Sequence, residues 1–348
     1  MTWMLYGAYG YTGRLVAALA TERGEMPVLA GRDGERLRTL AEVLQLDHRV
    51  VGLDDPAALD RALADIDAVA HCAGPFSATA LPMVEACLRT GTHYLDVTGE
   101  VDVLDTVLAR HDEAVAAAVT LAPGSGFDVV PSDCLAALLA AALPGATRLA
   151  VAVRLDGGPS AGTAATAAES LARPSLVRVG GARVPAPAEL RRRRVTFADG
   201  PRDAVALPLA DLATAWRSTG IDDLVVYAAV PAPVRALTAL PSVARRVAAN
   251  RLSRRLLGTM AARLPGPSPT TRAATRSMVW AEVADHRGQV REGTVAGPNA
   301  YDLTADAVVR IAGLLEKGAG TPGAWTPSQA WGADFVHQLD GVEGRIPS

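Results

Sequence analysis

The sequence predicts an α/β fold in two parts, a doubly wound parallel sheet followed by a second α+β domain. Three observations carry that expectation. Short apolar runs of β type alternate with segments of helical period from Met4 onward, the first run enters a glycine-rich turn, and beyond Pro131 this alternation gives way to strands of mixed polarity. At 348 residues the chain also exceeds the size that one core usually serves, so about two domains of ~100–200 residues are expected.

In order, strands are expected at 3–6, 27–30, 48–51, 68–71, 94–97 and 119–122. Helices are expected near 13–22, 33–44, 56–64, 80–89 and 101–117, several opened by an acidic residue or a proline. A ligand of such a sheet lies across the carboxyl ends of its strands. After Pro131 a helix is expected over 132–143, then strands at 148–155, 195–197, 224–230 and 278–283, read as an antiparallel sheet.

Composition removes several classes of function. Hydrophobic residues make up 49% and charged residues 20%, as in folded globular chains. A net charge of −3 argues against a dedicated nucleic-acid binder. Cys72, Cys87 and Cys134 are odd in number and scattered, which suits neither a disulfide framework nor a zinc knuckle, and a reducing cytoplasm is expected. The opening residues carry no basic segment followed by an apolar stretch, and the Ala/Leu run 135–143 is too short to span a bilayer, so neither export nor stable membrane insertion is expected.

The first strand ends in Gly7-Ala8-Tyr9-Gly10-Tyr11-Thr12-Gly13, with glycines at three-residue spacing, and a helix opens at once. Glycines let the backbone turn sharply and approach a pyrophosphate, while free N–H groups and the positive helix end offset its charge. A plain turn is the competing reading. The second strand runs into Arg32-Asp33, where a guanidinium suits the 2′-phosphate of NADPH and Asp33 reads as the cap of the next helix. The alternative leaves Arg32 merely exposed and turns Asp33 toward the ribose of NAD. Further cofactor candidates are Asp54 after the third strand, and Cys72-Ala73-Gly74-Pro75 after the fourth, where Gly74 and Pro75 would let the loop pass the nicotinamide ribose. Phe76 is either a wall of the site or core. Alternation along the fifth strand sets Tyr94 and Asp96 on one face and His93 on the other. Asp96 is the preferred polar catalytic candidate, with helix capping as its alternative, and Tyr94 stands beside it. After the sixth strand, Gly124 and Phe127 are candidates for cofactor contact, and Asp128 for holding the carboxamide or acting as an acid.

These stretches resemble, in order, the signatures of the saccharopine dehydrogenase-like reductases, in particular the branch called trans-acting enoyl reductases. The resemblance is carried by Gly7 to Gly13, Ala30-Gly31-Arg32, Ala73-Gly74-Pro75-Phe76, Gly91 to Glu100 and Pro123 to Asp133, and by later stretches at 160–166, 301–304 and 323–332. It implies a Rossmann-like domain over 1–131, an inserted α+β substrate or dimerisation domain over 132–300, and a segment 301–348 that packs back on the first domain. A homodimer is an expectation through that dimerisation role. The resemblance also implies NAD(P)-dependent redox chemistry, on substrates that include amino acids, imines and unsaturated acyl chains.

The second domain carries an unusual charge distribution. Arg191 to Arg194 reads as a solvated turn, and the loop 157–163 reads as a helix cap or as a cradle for a substrate carboxylate or thioester oxygen. From Leu224 to Ala281 there is no acidic residue, whereas nine arginines fall between Arg235 and Arg276. Arg251, Arg254 and Arg255 share one helical face. The stretch suits an acidic acyl-carrier protein or the phosphates of coenzyme A, a membrane surface, or an ordinary exposed helix.

No zinc spacing or hydrolytic triad is evident, and Lys317 is the only lysine, so no metal is expected. The leading functional expectation is an NADPH-dependent reductase of secondary metabolism acting on an enoyl thioester bound to coenzyme A or a carrier protein. A reductase or dehydrogenase for a C–N bond, with Arg154 and Arg202 as carboxylate binders, is the second, and a non-catalytic NADP-binding protein the third.

Overall fold

A computed structural model of the chain describes residues 2–164, 174–232, 235 and 265–345. The chain divides into two compact units, Met1–Val130 with Tyr301–Trp331, and Pro131–Ala300 with Gly332–Ser348.

The first unit alternates strand and helix: β1 (Trp3–Tyr6), α1 (Tyr11–Glu22), β2 (Val28–Gly31), α2 (Gly34–Leu44), β3 (His48–Val50), α3 (Pro56–Leu63), β4 (Ala68–His71), α4 (Phe76–Thr90), β5 (His93–Asp96), α5 (Val101–Leu108), α6 (His111–Ala116) and β6 (Thr120–Ala122). All pairings in its sheet are parallel, with β1 between β2 and β4 so that Met4 stands opposite both Val28 and Val69. The strand order is β3-β2-β1-β4-β5-β6, the Rossmann-like order, in which direction reverses beside β1 and opens a crevice above the strand ends. Strands β1, β2 and β4 are buried at every residue, as two helix-covered faces require. Asp33 and Asp55 cap α2 and α3 by accepting from the Arg36 and Ala58 N–H groups.

Three features depart from the sequence reading. A seventh strand, Gly323–Ala324, adds in parallel beside β6. Helix α4 starts at Phe76, earlier than expected, because an acceptor far away in sequence, Glu100, satisfies its first N–H groups. The expected helix over 101–117 breaks at Arg110, whose ψ of 18° leaves the helical region and whose guanidinium pairs with Glu113 and Glu85.

The second unit opens with α7 (Val130–Ala142) and holds β7 (Arg148–Leu155), β8 (Leu176–Val179), β9 (Ala182–Pro185), β10 (Arg192–Phe197), β11 (Gly200–Ala206), β12 (Asp223–Ala228), β13 (Ser277–Ala284) and β14 (Val290–Gly297). Its sheet runs β10-β11-β12-β7-β13-β14 and ends on the strand Glu343–Arg345, with the β8–β9 hairpin branching from β12. The sheet is mixed rather than antiparallel. Asp223 to Ala228 pairs in parallel with Arg148 to Val153, which the long connection between the two strands permits. Nor does the chain after 300 return whole to the first unit. Tyr301–Trp331 does, whereas Gly332–Ser348 belongs to the second, where its last strand pairs with β14.

The arginine run is not a turn. It begins edge strand β10, with Arg192 and Arg194 exposed and Arg193 turned over the Trp280 ring at 4.6 Å, where it donates to Glu282 Oε2 (2.6 Å). Arg245, Arg246, Arg251, Arg254, Arg255 and Arg263 lie outside the described residues, so the expected basic helix does too. Among the described residues, no helix is long and apolar enough to cross a membrane, and no group of three or more His, Cys, Asp or Glu side chains could hold a metal ion.

The core of the first unit sets its stability. Met83 of α4 is fully buried against the cluster that includes Val69, Val84 and Tyr94. Met83→Ala is expected to lower the unfolding free energy by about 2–5 kcal/mol in urea titration. Glu42→Ala, which removes only an exposed contact 3.9 Å from Arg38, is expected to change it by less than about 0.5 kcal/mol.

Candidate active site

The crevice begins at the glycine turn. Gly7 has φ +81°, and its N–H donates to Ala30 O (2.8 Å), tying the turn to β2. A Cβ at Gly7 would lie 2.8 Å from Ala73 N, and one at Gly13 would overlap Gly7 O and come within 2.8 Å of Ala8 O. Gly7 and Gly13 are buried and build the turn, whereas Tyr9, Gly10, Tyr11 and Thr12 are partly open and form its outer surface. The Thr12 and Gly13 N–H groups at the start of α1 have no partner among the described residues. That leaves an electropositive helix end with donors available to an anion.

On the adenosine side, the Tyr9 ring covers Gly31, where a Cβ would be 2.6 Å from Cε1, and the Arg36 guanidinium lies 4.7 Å from that ring. Arg14 and Arg36 both donate to Tyr9 O, at 3.2 and 3.4 Å. Arg32 is exposed and makes no hydrogen bond or ion pair among the described residues. Asp33 Oδ1 accepts from Arg36 N (3.2 Å). Asp54 is exposed, with its carboxylate folded back over Gly52. Arg14 and Arg36 went unnoticed in the sequence, because only the fold turns them toward Tyr9.

Cys72 to Pro75 form the loop after β4, and the Gly74–Pro75 peptide is cis. Cys72 is half-buried, with its thiol pushed up to about 12 by burial, while Gly74 and Pro75 are exposed. Phe76 packs edge-on against the His71 ring at 5.4 Å and belongs to the core rim.

Two of the three catalytic candidates are out of reach. Tyr94 is 0% and Asp96 1% exposed, and the Tyr94 hydroxyl donates to Asp96 Oδ2 (2.6 Å). Asp96 Oδ1 accepts from Thr98 N (2.9 Å) and Gly124 N (2.8 Å). Burial pushes this carboxyl up to about 6, against the lowering effect of those hydrogen bonds. Asp96 is therefore a tie between loops, not a group that meets a substrate. It does not cap α5 either, since that helix starts after Glu100. Gly124, at φ +73°, and Phe127, at 3% exposure, are likewise buried. They shape the loop after β6, where Phe127 N donates to Thr304 Oγ1 (3.0 Å) of the helix Ala300–Glu316, instead of offering a face to a cofactor.

Asp128 differs. Its side chain is exposed and lies against Gly99, where a Cβ would be 2.9 Å from Oδ2. The protein crowded around it partly dehydrates the carboxyl and raises it to about 6 while water still reaches it. Its carboxyl is thus both raised and reachable by water. Tyr11 of the glycine turn meets Tyr301 edge-on at 4.9 Å.

His71 was not singled out by its sequence context. It is fully buried at the end of β4, its ring 5.4 Å from Tyr6 and 6.2 Å from Tyr94, and neither ring nitrogen has a hydrogen-bond partner. Burial lowers its pKa to about 3.

A parallel sheet in this order, with a glycine turn and an open helix end at its switch point, defines a dinucleotide-binding α/β domain. Residues 3–122 match the family described as Saccharopine dehydrogenase NADP binding domain. The chain is 35% identical over 139 residues to a trans-acting enoyl reductase of Mycobacterium leprae, covering 37% of this chain and 33% of that relative. It is 29% identical over 150 residues to a mouse saccharopine dehydrogenase-like oxidoreductase, covering 37% and 35%. These matches thus span about a third of the curated relatives' length. Among solved structures, apo saccharopine dehydrogenase (L-Glu forming) from Saccharomyces cerevisiae aligns over 100% of both chains with a TM-score of 0.67 and 14% identity. Homospermidine synthase from Legionella pneumophila, solved with NAD, aligns over 99% of this chain and 91% of its own with a TM-score of 0.63 and 13% identity. At these identities the solved structures establish the fold alone.

His71 has a measurable consequence. An unfolded histidine titrates near 6.5, so between about 6.5 and 3 the unfolded chain binds the proton that folded His71 refuses. Stability is then lost as pH falls through that window. Relative to His71→Phe, the wild type is expected to lose about 2 kcal/mol more between pH 7 and pH 5, read from denaturant titrations at both pH values.

Proposed function

We propose that this chain is an NADPH-dependent reductase acting on the C=C bond of an enoyl thioester. The observation that carries the cofactor half is the pairing of an open α1 N-terminus with an unengaged Arg32 at the end of β2, while Asp33, the residue that would compete for an NAD ribose, caps α2. The Gly7 to Gly13 cradle, which a single added Cβ would close, fits a diphosphate. When bound, NADPH supplies a hydride from its nicotinamide ring.

The residues of the chain hold the rest. Thr12 and Gly13 N–H groups would meet the diphosphate, and Arg32 the 2′-phosphate, with Arg36 within the same surface. Hydride delivery to the β-carbon leaves an enolate that takes a proton at the α-carbon, and Asp128, raised toward neutrality, would supply that proton directly or through water. A cytoplasmic site of action accompanies this reading.

The substrate half rests on the enoyl reductase relatives and on the state of the second unit's arginines. A saccharopine-type substrate would need guanidinium groups free for carboxylates. Arg154 instead holds Asp156 (2.7 Å) and Asp199 (2.6 Å), and Arg202 holds the same Asp199 (3.0 Å). Both arginines named for the C–N reading are thus already ion-paired within the second unit.

Purified protein is expected to consume NADPH with crotonyl-coenzyme A or carrier-tethered enoyl chains. Oxidation of NADPH with imines but with neither thioester would overturn the substrate assignment. Arg32→Ala is expected to weaken NADPH binding about 10–100-fold and NADH binding less than about threefold, measured by titration calorimetry. Asp128→Asn is expected to lower kcat about 10²–10⁴-fold, and the wild-type rate to fall as pH rises above the Asp128 value of about 6.

A further inference from the structure

The loops that follow β4, β5 and β6 come from separate strands, yet one chain of hydrogen bonds joins them. Both oxygens of Glu100 are used: Oε1 accepts from Phe76 N and Oε2 from Ser77 N, each at 2.9 Å. Glu100 N donates to Thr98 Oγ1 (3.1 Å), and Thr98 N donates to Asp96 Oδ1 (2.9 Å). Asp96 in turn receives Gly124 N on Oδ1 (2.8 Å) and Ser125 N on its backbone oxygen (2.6 Å). Thr98, Asp96 and Ser125 are buried, so this linkage is shielded from water, whereas Glu100 sits at its partly open end.

Glu100 is the member that reaches the loop after β4. Its carboxylate fills the electropositive start of α4, a fifteen-residue helix. The start of α1 is left open in the same domain, so the two helix ends are used differently: one carries a fixed internal anion and the other is available to a diphosphate. No part of the proposed hydride or proton transfer uses Glu100, and with both oxygens engaged it is poorly placed to act as an acid.

We propose that Glu100 is a positioning residue for the nicotinamide half of the cofactor. It holds the backbone at 73–77 against 98–100 and, through Thr98 and Asp96, against the loop at 124–128, so that three loop edges keep the spacing the ring requires. This rests on the dinucleotide reading above.

The test separates the two halves of the cofactor. Wild type, Glu100→Gln and Glu100→Asp are titrated with 2′,5′-ADP by calorimetry and with NADPH by nicotinamide fluorescence. Glutamine offers one acceptor oxygen to two N–H groups, and aspartate keeps the charge but is one methylene short. Both variants are expected to bind 2′,5′-ADP within about twofold of wild type, but NADPH about tenfold more weakly and with reduced enhancement of nicotinamide emission. Unchanged NADPH affinity and emission would overturn the proposal. So would equal losses for both ligands, which would mark Glu100 as a general support of the fold. Should Glu100→Gln fail to fold, Glu100→Asp decides by the same comparison. If the wild type bound neither ligand, the dinucleotide reading itself would fall, and Glu100's role with it.

Discussion

The close backbone packing of the glycine turn is the constraint on which the rest of the first unit depends. Gly7 touches the loop after β4 at a distance no side chain tolerates, and Gly13 lies against Gly7 and Ala8. That contact sets the start of α1 at the carboxyl end of β1, next to the loop after β4. The helix end then faces the crevice with donors unspent. A turn one methyl group wider would separate the two loops and turn those donors elsewhere.

Charge is spent within the chain with the same economy. Many arginines of the described residues are already engaged: Arg49 with Asp65, Arg89 with Asp60, and Arg154 and Arg202 with Asp199. Arg32 stands apart because the neighbouring Asp33 spends its carboxylate on the α2 cap. At the opposite end of the crevice, two carboxyls raised to about 6 have different environments. Asp96 is enclosed and binds three donors, whereas Asp128 reaches water. Equal displacement therefore has unequal meaning. In Asp96 it records the desolvation of a structural tie, and in Asp128 it bears on proton exchange.

Much of the first unit was legible because βαβ units write themselves locally. Each strand is a short apolar run, each helix has its own period and cap, and the Gly7 to Gly13 turn falls where a strand meets a helix. What escaped depended on partners distant in sequence. The early start of α4 needs Glu100, 23 to 24 residues away. The seventh strand, Gly323–Ala324, has only two residues and exists because β6 offers an edge. In the second unit the parallel pairing of β7 with β12 could not be read from either strand, since polarity patterns do not encode direction.

At the site, residue type and position marked the cofactor loops, but not which of their side chains face outward. Tyr94 and Asp96 at the end of β5 and Phe127 in the loop after β6 are nonetheless buried, while Asp128, one residue from Phe127, is exposed. By itself the sequence determined the presence of a dinucleotide-type sheet, the place of its glycine turn, and the choice of arginine at the end of β2, because backbone freedom and local charge are properties of consecutive residues. Only the tertiary structure decided which carboxylates are ties, which arginines are spent, and that His71 is held neutral among aromatic rings, because burial and pairing depend on segments that meet only when the chain is folded.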